Sequence, residues 1–112
     1  MSQELLDSLH ATLLEIYDKG TQLKPPYYAA DFLQMVHRLG GKETADRLLA
    51  TGNPSSGFTS LFMRGPKCLE ISLEYVVLRH PWRSLFEPEQ LAIARKRLLD
   101  HNCQPPAEDT SA

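Results

Sequence analysis

Tyr28-Ala-Ala-Asp-Phe-Leu-Gln-Met-Val-His-Arg-Leu-Gly-Gly-Lys-Glu-Thr-Ala-Asp-Arg-Leu-Leu-Ala50 carries two helical signatures back to back. Phe32, Met35, Val36 and Leu39 recur at the spacing of one helix face, from Tyr28 to Leu39. Gly40-Gly41 ends that run. Ala45, Leu48 and Leu49 then define a short helix from Lys42 to Ala50. A chain that repeats this device, with glycine and proline as punctuation, is predicted to be all-α.

Working outward, Ser2 caps a first helix running to about Lys19, with Leu5, Leu6, Leu9, Leu13, Ile16 and Tyr17 at helical spacing. Glu4, Asp7 and Glu15 form its solvated face, Gly20 offers a C-terminal stop, and Pro25-Pro26 breaks the chain. Downstream, Thr51-Gly-Asn-Pro-Ser-Ser-Gly57 is a loop. A fourth helix starts at Ser55 or Ser56, carries Phe58, Leu61 and Phe62, and stops at Gly65-Pro66.

Leu69-Glu70-Ile71 reads as a short extended piece. Ser72 is the N-cap of a fifth helix, Leu73 to Arg79, with Glu74 in its first turn; His80-Pro81 terminates it. Trp82 to Phe86 forms a single turn, and Pro88-Glu89-Gln90 opens the last helix, which carries Leu91, Ile93, Ala94 and Leu98. The expected architecture is a compact single-domain bundle of about five or six short helices over residues 1–101. Leu13, Phe32, Val36, Leu49, Phe58, Leu61, Leu73, Val77, Leu85 and Leu98 should share its core. Residues 102–112 are too polar to pack and read as a disordered tail.

Several of these elements, in this order, also resemble a known pattern. They are Phe32-Leu-Gln-Met-Val36, Gly40-Gly41, Ser56-Gly57-Phe58 with Leu61, Leu69-Glu-Ile-Ser-Leu-Glu74, and Leu85-Phe86 with Glu89, Ala94, Arg95 and Leu98. Together they look like a small helical domain that recurs in uncharacterised bacterial proteins, over most of residues 28–101. The resemblance implies a bacterial or phage origin and a helical architecture, and it assigns no catalytic residue. That pattern often has a hydroxyl residue where this chain has Glu87, which predicts a weaker cap on the last helix. The Gly65-Pro-Lys-Cys68 connection is longer than usual for it.

With 112 residues, 42% of them hydrophobic, the chain is sized to bury very roughly two thirds of its unfolded surface in one core. That leaves no room for separate cofactor and substrate domains. The longest apolar runs, such as Tyr75 to Leu78, fall far short of a membrane span. Net charge is −2 and the pI about 6.0, which lacks the excess expected of a DNA-coating protein. Residues 57–103 nevertheless carry seven Lys and Arg against five Asp and Glu, so an anion-binding surface would belong to the second half. Cys68 and Cys103 cannot make a four-ligand zinc site, and the N-terminal residues show no secretory pattern. A cytoplasmic protein with two free thiols, no cofactor and no metal is expected.

Arg79-His80-Pro81-Trp82-Arg83 supplies the main candidate contacts. Two guanidinium groups beside an aromatic ring can hold a phosphate or an unpaired base. Equally, Trp82 can close the core while Arg79 and His80 satisfy the last carbonyls of the fifth helix. Arg95-Lys96-Arg97 forms a second basic run, read as a solvated face near a helix C-terminus. Glu70 and Glu74 read as solvated or capping. A helix-turn-helix from 42–50 and 55–64 would have an overlong connection. His10, His37, His80 and His101 are scattered, and Cys68 reads as a small apolar filler rather than a nucleophile.

These readings point away from an enzyme and toward a small intracellular protein-interaction module, a regulator or adaptor with a protein partner and no membrane contact. Nucleic-acid binding through the basic second half is the alternative. The candidate partner or anion contacts are Arg79, His80, Trp82, Arg83 and Arg95. Exposed Tyr27, Tyr28 and Met63 would favour the first reading; clustering of Arg79, Arg83, Arg95 and Arg97 would favour the second.

Overall fold

The computed structural model describes residues 2–107 and is all-α. Among these residues there are six α-helices, α1 (Gln3–Thr21), α2 (Ala30–Leu39), α3 (Gly41–Leu49), α4 (Ser56–Met63), α5 (Leu73–Val77) and α6 (Pro88–Asp100). Two 3-10 turns, Pro66–Ile71 and Trp82–Leu85, lie between them, and no strand is present. The extended piece expected at Leu69–Ile71 is therefore part of a 3-10 turn. Pro66 at its start fixes a helical φ, and Leu69 needs the turn to face the core, where it is fully buried.

Side chains set most of the helix starts. The hydroxyls of Ser2, Ser55 and Ser72 accept hydrogen bonds from Leu5, Phe58 and Tyr75 N–H at 3.3, 3.2 and 3.3 Å. The start of α6 corrects the weaker cap expected from Glu87. Its N–H donates to Gln90 Oε1 at 2.9 Å, and its side chain accepts from the Gln90 backbone, a closed capping box. Gln90 Nε2 reaches on to Asp46 Oδ1 at 2.9 Å, tying α6 to α3.

α1 is the hub, in contact with α2, α3, α5 and the first 3-10 turn; α6 closes against α5 and α3. The expected core residues lie in one continuous cluster, with Phe32 partly buried against it. At the end of α6, His101 Nδ1–H donates to Arg97 O at 2.7 Å, and its ring makes T-shaped contacts with Phe58 and Phe62, with centroids 4.9 Å apart in both. The chain stays packed past the boundary drawn at residue 102. Cys103 is 4% exposed, and its N–H donates to Leu98 O at 2.9 Å. Of the segment read as a tail, residues 108–112 lie outside the described residues.

Two glycines are used for close approach. Gly20 does not stop α1: it sits inside the helix, its carbonyl accepts from Tyr27 N–H at 2.8 Å, and a Cβ there would lie 2.6 Å from Tyr27 O. Gly41 opens α3 where it crosses α1. Its N–H donates to His10 Nδ1 at 3.1 Å, and a Cβ would lie 2.8 Å from His10 Cα. Because the obstacle is backbone, Gly41→Ala should cost about 1–3 kcal/mol in urea unfolding despite alanine's better helix propensity. Gly52→Ala, where nothing stands within 4 Å, should stay within about 0.5 kcal/mol. Equal effects at the two positions would refute the helix crossing.

Candidate functional site

The site begins with a buried ion pair between α5 and α6. Glu74, in the first turn of α5 behind the Ser72 cap, is 2% exposed, and it meets Arg97, 6% exposed, at 3.0 Å between Oε2 and Nη1. Arg97 Nη1 also donates to Leu48 O at 3.1 Å, and Nη2 to Thr51 O at 2.7 Å and Thr51 Oγ1 at 3.2 Å. One guanidinium thus fastens the end of α3 and the loop after it. That loop delivers Ser55, the cap of α4.

This arrangement corrects two sequence readings. Arg97 is not part of a solvated basic face, and Glu74 is neither solvated nor only a first-turn acid. The signal was present: Arg97 lies three residues after Ala94 and next to Leu98, on the apolar stripe of α6. Arg95 is two positions away, roughly 200° around the helix.

A second arginine holds the segment between α1 and α2. Arg64, just past α4, donates from Nε to Pro25 O at 2.7 Å, from Nη2 to Pro26 O at 2.9 Å and from Nη1 to Ser60 O at 2.7 Å. Its guanidinium also lies over the Tyr27 ring, 5.4 Å from the centroid. Tyr27 is thereby pressed toward α4, its hydroxyl so near Gly57 that a Cβ there would come within 2.8 Å.

Between these two clamps lies a cleft of about 370 Å³. Ile16, Phe58, Leu61 and Leu73 from the core reach it, Phe32 and Met35 of α2 line it, and Tyr27, Tyr28 and Ala29 contribute the strap. Ser55, Ser56, Ser60, Ser72, Asp31 and Glu74 are its polar lining residues; no Lys, Arg or His lines it. Such a mix, mostly apolar walls with a few polar groups, is typical of binding clefts. Tyr28 lines the cleft while 63% exposed.

The candidate contacts Arg79, His80, Trp82, Arg83 and Arg95 do not line this cleft. Trp82 is 8% exposed and donates from Nε1 to Ser8 Oγ at 3.2 Å, while Arg79 stacks over its ring at 5.2 Å. Arg79 and Trp82 are brought together, but Trp82 closes the core against α1. Arg83 and Arg95 are half-buried and neither lacks a partner; His80 is exposed and likewise engaged. Lys96 pairs with Asp100 at 2.8 Å. Of the four arginines whose clustering would favour nucleic-acid binding, Arg97 is buried against Glu74. Helices α3 and α4 do not pack as a helix-turn-helix pair either: α3 lies chiefly on α1 and α2, and α4 on the first 3-10 turn.

Burial and then the Glu70 charge push the Cys103 pKa up, which disfavours the reactive thiolate. Among the described residues no three His, Cys, Asp or Glu side chains converge as a metal site, and no helix is long and apolar enough to cross a membrane. No protein-family model, curated protein or solved structure matches the chain.

Burial raises the Glu74 pKa above the ordinary carboxylate value, against the opposing pull of its own backbone N–H and of Arg97. With the folded value above the unfolded one, the folded state keeps a proton that the unfolded chain has released. Stability conferred by Glu74 therefore falls as pH rises through that window. Urea unfolding of the native chain and Glu74→Gln, from about pH 4 to pH 7, should show the native chain losing stability relative to the variant. A difference that grows in favour of Glu74 with rising pH would show that Arg97 outweighs burial.

Proposed function

We propose that the protein is a small protein-interaction module, a regulator or adaptor without catalytic activity, that receives an apolar segment of its partner in the cleft between α2 and α4. The observation that carries this reading is Tyr28, a large aromatic side chain left 63% exposed on the wall of an otherwise apolar cleft. Aromatic anchors at a cleft edge supply much of the binding energy in protein interfaces. Arg64 and Arg97 support it further, because both fix cleft walls in place before any partner arrives and so lower the ordering cost of binding.

The nucleic-acid alternative draws less support. A phosphate-binding face needs several cations on one surface, and Arg97 is committed to Glu74 while Arg79 lies over Trp82. The cleft itself has only carboxylates among its charged groups. A bacterial setting, suggested by the sequence resemblance, and a cytoplasmic location are consistent parts of this proposal.

Selection from a random-heptapeptide display library against the full chain should yield binders that perturb the NMR signals of Tyr28, Phe32 and Met35. Tyr28→Ser should weaken them about tenfold or more, the minimum expected of an aromatic anchor. Binders that map elsewhere and ignore Tyr28→Ser would overturn the reading. So would submicromolar, salt-sensitive binding of mixed-sequence DNA or RNA that is lost in an Arg79, Arg83 and Arg95 triple-alanine variant.

A further inference from the structure

The charge of the cleft says what kind of segment suits it. Asp31 and Glu74 are its charged lining groups, and Glu74 is already paired with Arg97. Asp31 is therefore the acidic lining residue left to meet an occupant. It is exposed in the first turn of α2, where the helix N-terminus favours an anion. Burial, the largest cause, raises the Tyr27 pKa, Arg64 lowers it, and the Asp31 charge adds a smaller rise, so that charge reaches the strap.

The neighbouring aromatic rings suit a cation as well. Arg64 already occupies the Tyr27 ring, so that face is taken and an incoming cation has the neighbouring ring to meet. Tyr28, the adjacent residue, is the exposed aromatic ring of the cleft. Aromatic faces beside a carboxylate favour a cation that also carries apolar surface, because its stem can bury while its charge is balanced.

Resting on the interaction-module reading, we propose that the cleft takes a basic, apolar segment of a partner protein, in which an arginine or lysine stands next to an aliphatic or aromatic residue. The cation pairs with Asp31 and the Tyr28 ring, and the apolar neighbour packs against Phe32 and Met35. The C-terminal residues of this chain do not suit the role. Glu108-Asp-Thr-Ser-Ala112 would bring acids to a carboxylate-lined cleft and has no large apolar side chain.

The same display selection tests this. Cleft-binding peptides should be enriched in Arg or Lys beside Leu, Phe or Trp, and replacing that Arg by the neutral isostere citrulline should weaken binding about fivefold, the order of an exposed ion pair with a cation–π contact. With Asp31→Asn, an exposed change that leaves the core intact, the native and citrulline peptides should bind alike. Peptides that bind the cleft without basic residues, or a basic preference that survives Asp31→Asn, would overturn this proposal and leave the interaction-module reading standing. Self-association through the cleft in sedimentation experiments would replace the basic peptide with a second copy of the chain. If no peptide perturbs Tyr28, Phe32 and Met35, the underlying reading falls, and this proposal with it.

Discussion

A guanidinium taken out of water destabilises a fold by several kcal/mol unless acceptors surround it. Arg97 meets that condition with the Glu74 carboxylate, the Leu48 and Thr51 carbonyls and the Thr51 hydroxyl. These acceptors come from α5, the end of α3 and the following loop, so they must be in place together for α6 to dock. The Thr51 hydroxyl also lies 2.8 Å from the carbonyls of Leu48 and Asn53, which winds the loop tightly around the charge. Ser55 leaves this loop in the right place to cap α4, and α4 forms one wall of the cleft.

The opposite wall follows the same logic. Non-helical backbone packed on a protein surface leaves carbonyls in need of donors, and the Pro25-Pro26 segment finds them on Arg64. Gly20 then lets the strap touch α1, and Arg64 presses on the ring of Tyr27. Two arginines, each serving several carbonyls, turn a bundle of short helices into one with a preformed apolar cleft. The chemistry of that cleft is set by what the arginines leave outside it. Their charges are directed into the scaffold, and the lining keeps carboxylates, hydroxyls and aromatic rings.

The helices were legible because local signals mark them: serine caps, proline at the start of α6, and apolar residues at helical spacing in α1, α2 and α4. The 3-10 turn at Pro66–Ile71 was not, since Leu69-Glu70-Ile71 is too short to show a period and only burial of Leu69 in the assembled core selects the turn. Gly20 was misread because a stop and a close approach to a distant strap use the same residue. The cleft was legible only in Tyr27 and Tyr28 as aromatic candidates. Its frame depends on Glu74 and Arg97, twenty-three residues apart. Each charge looks solvated alone, and their burial is visible only when the partner's position on the apolar stripe is considered. The Arg79 to Arg83 cluster is conspicuous in composition, yet in the fold Trp82 meets the simpler demand of closing the core, its Nε1–H donating to Ser8 Oγ.

Amide hydrogen exchange on a Glu74→Leu, Arg97→Met double variant tests the central role of this pair most directly. Removing both charges leaves no orphaned ion, so the core survives. The amides of Phe58 and Thr59, bonded to the Ser55 hydroxyl and carbonyl, should lose protection relative to Leu13 in α1, as the loop that carries Ser55 comes loose. Unchanged protection at Phe58 and Thr59 in a folded double variant would show that the cleft wall stands without the buried pair.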